Sequence, residues 1–400
     1  MFGGADVRRC SCSPGAEVRA NGSASDGIYT TSYCALSMRS LIQPRIRLIT
    51  RPGADSANGN ERRAPYARFD VWPARIVLLL AFASLLTAAL HTLAEEPGDA
   101  ILWRDPGDIA SRNLLYGSGG KQDQPHGTMV YTDEDHAGSN PKFYVRDGES
   151  TKWTAKMGIE AKPETAAAHL LWAVGYFTDE DYFVPGLAVE GMPAHLHRGG
   201  DNLVGPNGMV DNVRLERHLK SLKKIGNWKW KDNPFTGTRQ FNGLRVMMAL
   251  MNNWDLKDEN NAIYQRGGDR PARIYVVSDL GASFGTTGYS WTQAMGKGNL
   301  NSYRHSRFIK KVHPEFVDFN VPTRPALLYF FHVPGLIKRL RMRWIGKHIS
   351  REDAKWMGGL LSRLSHEQIQ DAFESAGYSP QEVEGFAKVV EERIAELNKL

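Results

Sequence analysis

The chain has 400 residues of which 42% are apolar, enough for two or three domains or for one large two-lobed body, and its formal net charge is +6. That charge is unevenly placed: residues 1–75 hold eleven arginines, no lysine and six acids, a surplus of +5, and everything after them balances to +1. A nearly neutral body gives no argument for nucleic-acid binding, and none is expected. Because Cys10, Cys12 and Cys34 are the only cysteines, no disulfide framework is available to the remainder.

Residues 1–75 are rich in Ser, Gly and Pro without sustained periodicity, which predicts disorder. Cys10 and Cys12 form a C-x-C with no second ligand pair, so no zinc site is predicted. The arginine-only complement, unlike the mixed remainder, is also what a stretch upstream of the native start would show. Residues 76–93, IVLLLAFASLLTAALHTL, carry no formal charge and follow Arg62, Arg63, Arg68 and Arg75. That pattern predicts a signal anchor or signal peptide over 76–94, with residues 95–400 on the non-cytoplasmic side.

Residues 95–126, with DPGD and GSGG, read as a linker that packs against the domain. Strands follow at 127–135, 142–147 and 152–157, separated by HAGSNP and DGES turns. A helix then starts near Pro163 and runs to Gly175, with Ala167, Leu170, Leu171 and Val174 on its apolar face. Glu164 lies in its first turn, where the helix dipole stabilises a carboxylate. Residues 182–191 read as a strand. His195 and His197 make an H-x-H with no third ligand nearby, so a metal site is not expected. Residues 214–230 form a basic, helix-like run ending in two tryptophans: a solvated face, or a contact to an anionic surface or substrate. Phe241, Leu244, Met247, Met248 and Met251 recur at helical spacing and predict a buried helix over 240–251. The chain is Gly-, Ser- and Trp-rich from 286 to 302, turns helical and basic from 325, and ends in two amphipathic helices over 361–400, with Gly377 closing one and Ser379-Pro380 opening the next.

The chemistry concentrates in NWDLKDEN (253–260) and DLGASFG (279–285). Between them, 261–264 and 273–278 are β-rich, and 265–272 has the turn residues Gly267, Gly268, Asp269 and Pro271. A hairpin would bring Asn260 and Asp279 to one end of a single ribbon, as two oxygen ligands of one Mg²⁺ require. The bland reading has Asp255 at a helix end and Asp279 in a β-turn. In this order, D-L-K-x-x-N followed by D-L-G resembles the catalytic loop and metal motif of the protein-kinase-like superfamily, in an atypical branch similar to the secretory-pathway Golgi kinases and the HipA-like kinases. The resemblance spans 130–285. It departs from the usual pattern at Asn253 and Trp254, which stand in place of His-Arg, so the arginine that pairs with an activation-loop phosphate is missing.

The resemblance implies an α+β, two-lobed fold: a small antiparallel-sheet lobe at 127–190 and a mostly helical large lobe at 191–400. It implies ATP with Mg²⁺ or Mn²⁺ as cofactors. Asp255 would orient a hydroxyl, Lys257 contact the transferred phosphoryl, and Asn260 and Asp279 hold the metal. Lys156 would contact the α and β phosphates, held by Glu164 or, as substitute, Glu160. Gly138 and Ser139 would lie over the phosphates, though an ordinary hairpin explains them as well. Residues 182–191 would contain the hinge between lobes, and the stretch from 286 to 302 would be an activation segment. The implied function is transfer of the γ-phosphoryl of ATP to a hydroxyl of protein, lipid or sugar. The alternatives are a membrane-associated, pseudokinase-like binding or scaffold protein with a degenerate nucleotide site, and a metal-dependent hydrolase. Expected partners are a nucleotide, a hydroxyl-bearing substrate and a membrane through residues 76–93.

Overall fold

In the computed structural model the described residues are 99–136, 140–268, 271–286, 296–321, 337, 340 and 342–400. The chain divides into two units, Met1–Arg75 and Ile76–Leu400, and all described residues belong to the second. The apolar run at 76–93, the cysteines, Gly138, Ser139 and most of the helical stretch expected after 325 lie outside them. No helix among the described residues is long and apolar enough to cross a membrane.

The fold is α+β. Strand β1 (Asp99–Ile101) is followed by β2 (Met129–Glu134), β3 (Lys142–Arg146) and β4 (Lys152–Met157), then helix α1 (Ala161–Ala173), β5 (Asp181–Glu190) and β6 (Met209–Arg217). Strands β2 to β6 close into a barrel in the order β2-β3-β4-β6-β5. Its antiparallel ladders are sealed by one parallel pair, Met129 opposite Val189. Alternation explains the closure: Phe143 and Val145 on β3, Trp153 and Ala155 on β4, and Val213 and Leu215 on β6 all point into one buried core. Each large side chain so buried contributes about 1.5–3 kcal/mol.

Three expectations are corrected here. The antiparallel strands expected within 127–190 belong to a closed barrel that runs on to Arg217, because β6 inserts between β4 and β5. The run at 214–230 is not helical: Val213-Arg214-Leu215-Glu216 alternates with period two, and β7 (Leu222–Gly226) follows at once. Nor is the hinge at 182–191, since all of β5 lies within the barrel, paired with β6 from Asp181 to Ala188. The chain leaves the barrel through residues 218–221 instead.

After β7 come α2 (Arg239–Leu250), β8 (Asn261–Arg266) and β9 (Ala272–Val277), and the second sheet has the order β1-β9-β8-β7. Residues 99–126 of the expected linker are therefore part of the body. β1 lies parallel to β9, with Asp99 opposite Ala272, and Leu102, Ile109 and Leu114 are buried in the larger core. Helix α2 begins where the Thr238 hydroxyl accepts from the Phe241 amide, a cap of about 1 kcal/mol, and buries Phe241, Leu244, Met247 and Met248. A short helix α3 (Leu300–Arg304) and a small sheet of β10 (Ile309–Val312), β11 (Phe316–Phe319) and β12 (Ile349–Ser350) precede three closing helices, α4 (Arg351–Leu361), α5 (His366–Glu374) and α6 (Pro380–Asn398). Capping boxes at Ser365/Gln368 and Ser379/Glu382 start the last two.

Candidate active site

Helix α2 delivers the first half of the site. Its last turn hands over to Asn252, in the left-handed region at φ 57°, and the Asn253 amide caps back onto the Met248 carbonyl at 2.9 Å. The Asn253 side chain then accepts from the Asp255 amide at 3.0 Å, fixing the loop around the aspartate. Lys257 Nζ lies 2.8 Å from Asp255 Oδ2. The Asn260 amide nitrogen donates to the Asp255 carbonyl at 2.7 Å, which leaves its oxygen for another partner. Strands β8 and β9 form the expected hairpin with Asn261 opposite Val277. At its open end the amides of Ser278 and Asp279 both donate to the Asn260 carbonyl, at 3.0 and 3.3 Å. Asn260 and Asp279 are thus tied together by backbone.

The barrel delivers the second half. Lys156, on β4, is almost fully buried, and its ammonium lies 2.7 Å from Glu160, 2.7 Å from Glu164 and 3.0 Å from Asp279. Glu160 immediately precedes α1 and Glu164 sits in its first turn, so one helix start supplies two of the three carboxylates. Gly281 lets the Asp279 loop approach this closely: a Cβ there would stand 2.6 Å from that of Glu160. Behind Glu164, Arg214 reaches Asp181 at 2.6 Å and Glu216 at 3.0 Å, with its Nε 3.6 Å from Glu164. Lys156, Glu164, Arg214, Asn260 and Asp279 line a cleft of about 840 Å³, and Asp255 adjoins it through Asn260.

Carboxylates outnumber cations here, and the protonation equilibria show it. Burial pushes the Glu164 carboxyl up to about 7 although Arg214 and Lys156 pull it down. Burial likewise lifts Asp181 to about 6 against Arg214. Burial works against the Lys156 ammonium, yet Glu164, Asp279 and Glu160 outweigh it and raise the lysine well above its ordinary value. Burial also opposes ionised Glu160, but Lys156 and Lys297 hold that carboxyl well below the usual range.

Ligand oxygens of Glu160, Glu164 and Asp279 lie within 4.8 Å of one another. A surplus of hard oxygen donors this close suits Mg²⁺ or Mn²⁺. The Asp279 side chain is 42% exposed, against 5% for that of Lys156, so the aspartate faces the open cleft while the lysine lies beneath it.

Several residues at the site were not anticipated from the sequence. Lys297 pairs with the second oxygen of Glu160, and Asn140, just beyond Gly138 and Ser139, donates to Glu160 as well. Arg214, Asp181 and Glu216 form the charged wall. Elsewhere, His195 pairs with Asp201 at 2.8 Å, and the His197 ring lies 5.2 Å from that of His136.

No family model and no curated protein matches the chain. Among solved structures it is similar to the proinflammatory kinase CtkA of Helicobacter pylori, at 11% identity and a TM-score of 0.35, over 64% of this chain and 93% of that one. It is also similar to the Golgi casein kinase solved with Mn/ADP bound, at 11% identity and a TM-score of 0.33, over 69% of this chain and 72% of that one. At such TM-scores the functional reading rests on the geometry of the site itself.

Proposed function

We propose that the chain is an atypical kinase that transfers the γ-phosphoryl of ATP to a hydroxyl. The observation that carries this is the meeting of Lys156, on a barrel strand, with Glu164 and with Asp279 from a loop 123 residues further on. A buried ammonium anchored by a helix-borne carboxylate is preorganised to bind an anion, and its neighbours are suited to bind the counter-cation. Phosphoryl transfer needs positioning and charge neutralisation more than covalent chemistry.

Asn260 and Asp279 would hold Mg²⁺ or Mn²⁺, with Glu160 and Glu164 close by; when bound, the ion neutralises phosphate charge. Lys156 binds the α and β phosphates. Asp255 orients the acceptor hydroxyl and takes its proton as the oxygen bonds to the γ phosphorus and the bridging P–O bond breaks toward ADP. Lys257, whose ammonium lies 2.8 Å from Asp255, would touch the phosphoryl during transfer.

Incubation of the full chain with labelled ATP, Mg²⁺ or Mn²⁺ and an extract of host macromolecules tests the reading. Label transfer that vanishes in Asp255→Asn and Lys156→Met supports it. Absence of both label transfer and nucleotide-dependent thermal stabilisation would sink it. Nucleotide binding without turnover would instead support the binding or scaffold reading, which the departure at Asn253 and Trp254 favours. We further propose that residues 76–93 attach the protein to a membrane with the site on the non-cytoplasmic side. A reporter fused after Leu400 and found in the cytoplasm would reverse that orientation.

A further inference from the structure

Lys297 is absent from the motifs of this site, yet its ammonium lies on Glu160, and its side chain is only 12% exposed. Glu160 is therefore bracketed, with Lys156 on one oxygen and Lys297 on the other. Lysine usually loses much rotamer freedom when fixed, so what holds Lys297 matters. The Gly298 amide donates to the Ser283 carbonyl at 2.9 Å, and the Asn299 amide to that of Phe284 at 2.8 Å. On the other side the Trp254 indole donates to the Gly296 carbonyl at 2.6 Å. Gly285 and Gly296 touch so closely that a Cβ on Gly285 would stand 2.6 Å from the Gly296 carbonyl carbon. The backbone on both sides of Lys297 is thus fastened to the DLGASFG loop and to the unusual tryptophan before Asp255.

The two lysines differ in what remains to them once a divalent cation enters. Lys156 has Glu164 as an additional partner; for Lys297 the ion pair is with Glu160. A cation drawing on the Glu160 and Asp279 oxygens would weaken that pair while leaving Glu164 to Lys156, and a nearly buried ammonium does not stay uncompensated. The anion arriving with the cation is the polyphosphate. Resting on the kinase reading, we propose that Lys297 is a further polyphosphate-binding cation beside Lys156 and Lys257, parked on Glu160 in the nucleotide-free protein and transferred to the terminal phosphate when metal and nucleotide bind. It would supply, from the chain itself, positive charge facing the phosphoryl group that leaves, where Lys156 faces the two that stay.

The test uses the full chain with Mg²⁺ and either ADP or the β,γ-imido analogue of ATP, following thermal stabilisation for the parent, Lys297→Met and Lys297→Arg. In the parent, the analogue should bind more tightly than ADP. Lys297→Met should weaken analogue binding about tenfold, the scale of one charge-assisted contact, while changing ADP binding much less. Lys297→Arg should restore most of the difference. A Lys297→Met protein that keeps the full preference for the analogue overturns the proposal. So does one that melts earlier without ligand and loses affinity for both nucleotides equally, because Lys297 would then be a structural pin. If the parent itself shows no Mg²⁺-dependent stabilisation by either nucleotide, the kinase reading fails and this inference fails with it.

Discussion

Buried positive charge occurs in two parts of this protein under opposite conditions. In the cleft, Lys156 and Arg214 are surrounded by carboxylates, and both are raised well above their ordinary pKa despite burial. In the helical core, Arg393 donates to the carbonyls of Ala249, Leu250, Tyr303 and Ser306 and to the Ser306 hydroxyl, and lies 4.0 Å over the Tyr303 ring. Arg245 similarly fastens the carbonyls of Trp344, Ile345 and Lys347. Burial lowers both of these arginines, Arg245 to about 10. The core arginines are used up by main-chain acceptors and act as staples between segments. The cleft cations face more negative charge than they can neutralise, and that imbalance is what a ligand can correct.

The comparison breaks if cleft variants damage the fold or core variants damage only the chemistry. The largest expected effect is on turnover by Asp255→Asn, which should fall by about 10²–10⁴-fold, the range for a lost general base, with nucleotide binding and melting temperature near those of the parent. An enzyme that turns over normally with asparagine there removes Asp255 from its role. Next, Arg393→Met should destabilise by about 2–4 kcal/mol, because several buried carbonyls lose their donor at once. Chemical denaturation would show this, and residual activity per folded molecule should be unchanged. Asp279→Asn should leave unliganded stability within about 1 kcal/mol but abolish the metal-dependent nucleotide stabilisation, worth about 2.7 kcal/mol in the parent at a hundred times Kd.

The smallest effect is on the pH dependence of stability. Glu164 titrates near 7 in the folded protein against 4.5 ordinarily, so the native state holds a proton that the unfolded chain has lost between those values. Its contribution to stability therefore falls as pH rises through that window. Glu164→Gln cannot titrate, so its stability relative to the parent should improve by about 1–3 kcal/mol from pH 4.5 to 7, measured as the difference between the two denaturation curves. A constant difference across the window would mean that Glu164 is ionised throughout.

The half of the site around Asp255 and Asp279 was readable because its logic is local: a helix of period 3.6, a loop with fixed spacing, and a hairpin whose turn residues are adjacent in sequence. The barrel half was only partly readable. Lys156 and Glu164 were named through the kinase-like resemblance, but Arg214, Asp181 and Glu216 were not, because the lysines after Arg217 made 214–230 resemble an amphipathic helix. The alternation of Val213 and Leu215 with Arg214 and Glu216 was the available signal. Lys297 and Asn140 lie in loops without periodicity, placed only by contacts with residues distant in sequence. Strand β1 is three residues long and its partner lies far along the chain, so nothing nearby marks Asp99–Ile101 as a strand.

That last pairing bears on how the molecule is made. Because Asp99 pairs with Ala272, β1 is synthesised long before its partner exists, whereas every strand of the barrel, from Met129 to Arg217, emerges as one uninterrupted stretch. On a ribosome adding about 5–20 residues per second, the barrel strands have time to pair among themselves while β1 must wait. The loop it finally closes is long, and such non-local closure is slow. Folding should therefore show a barrel acquired early and a second sheet completed late, with the cleft between Lys156 and Asp279 formed only when the β8–β9 hairpin has arrived. Pulse-labelled hydrogen exchange during refolding should show the Trp153 and Leu215 amides protected before that of Ile274.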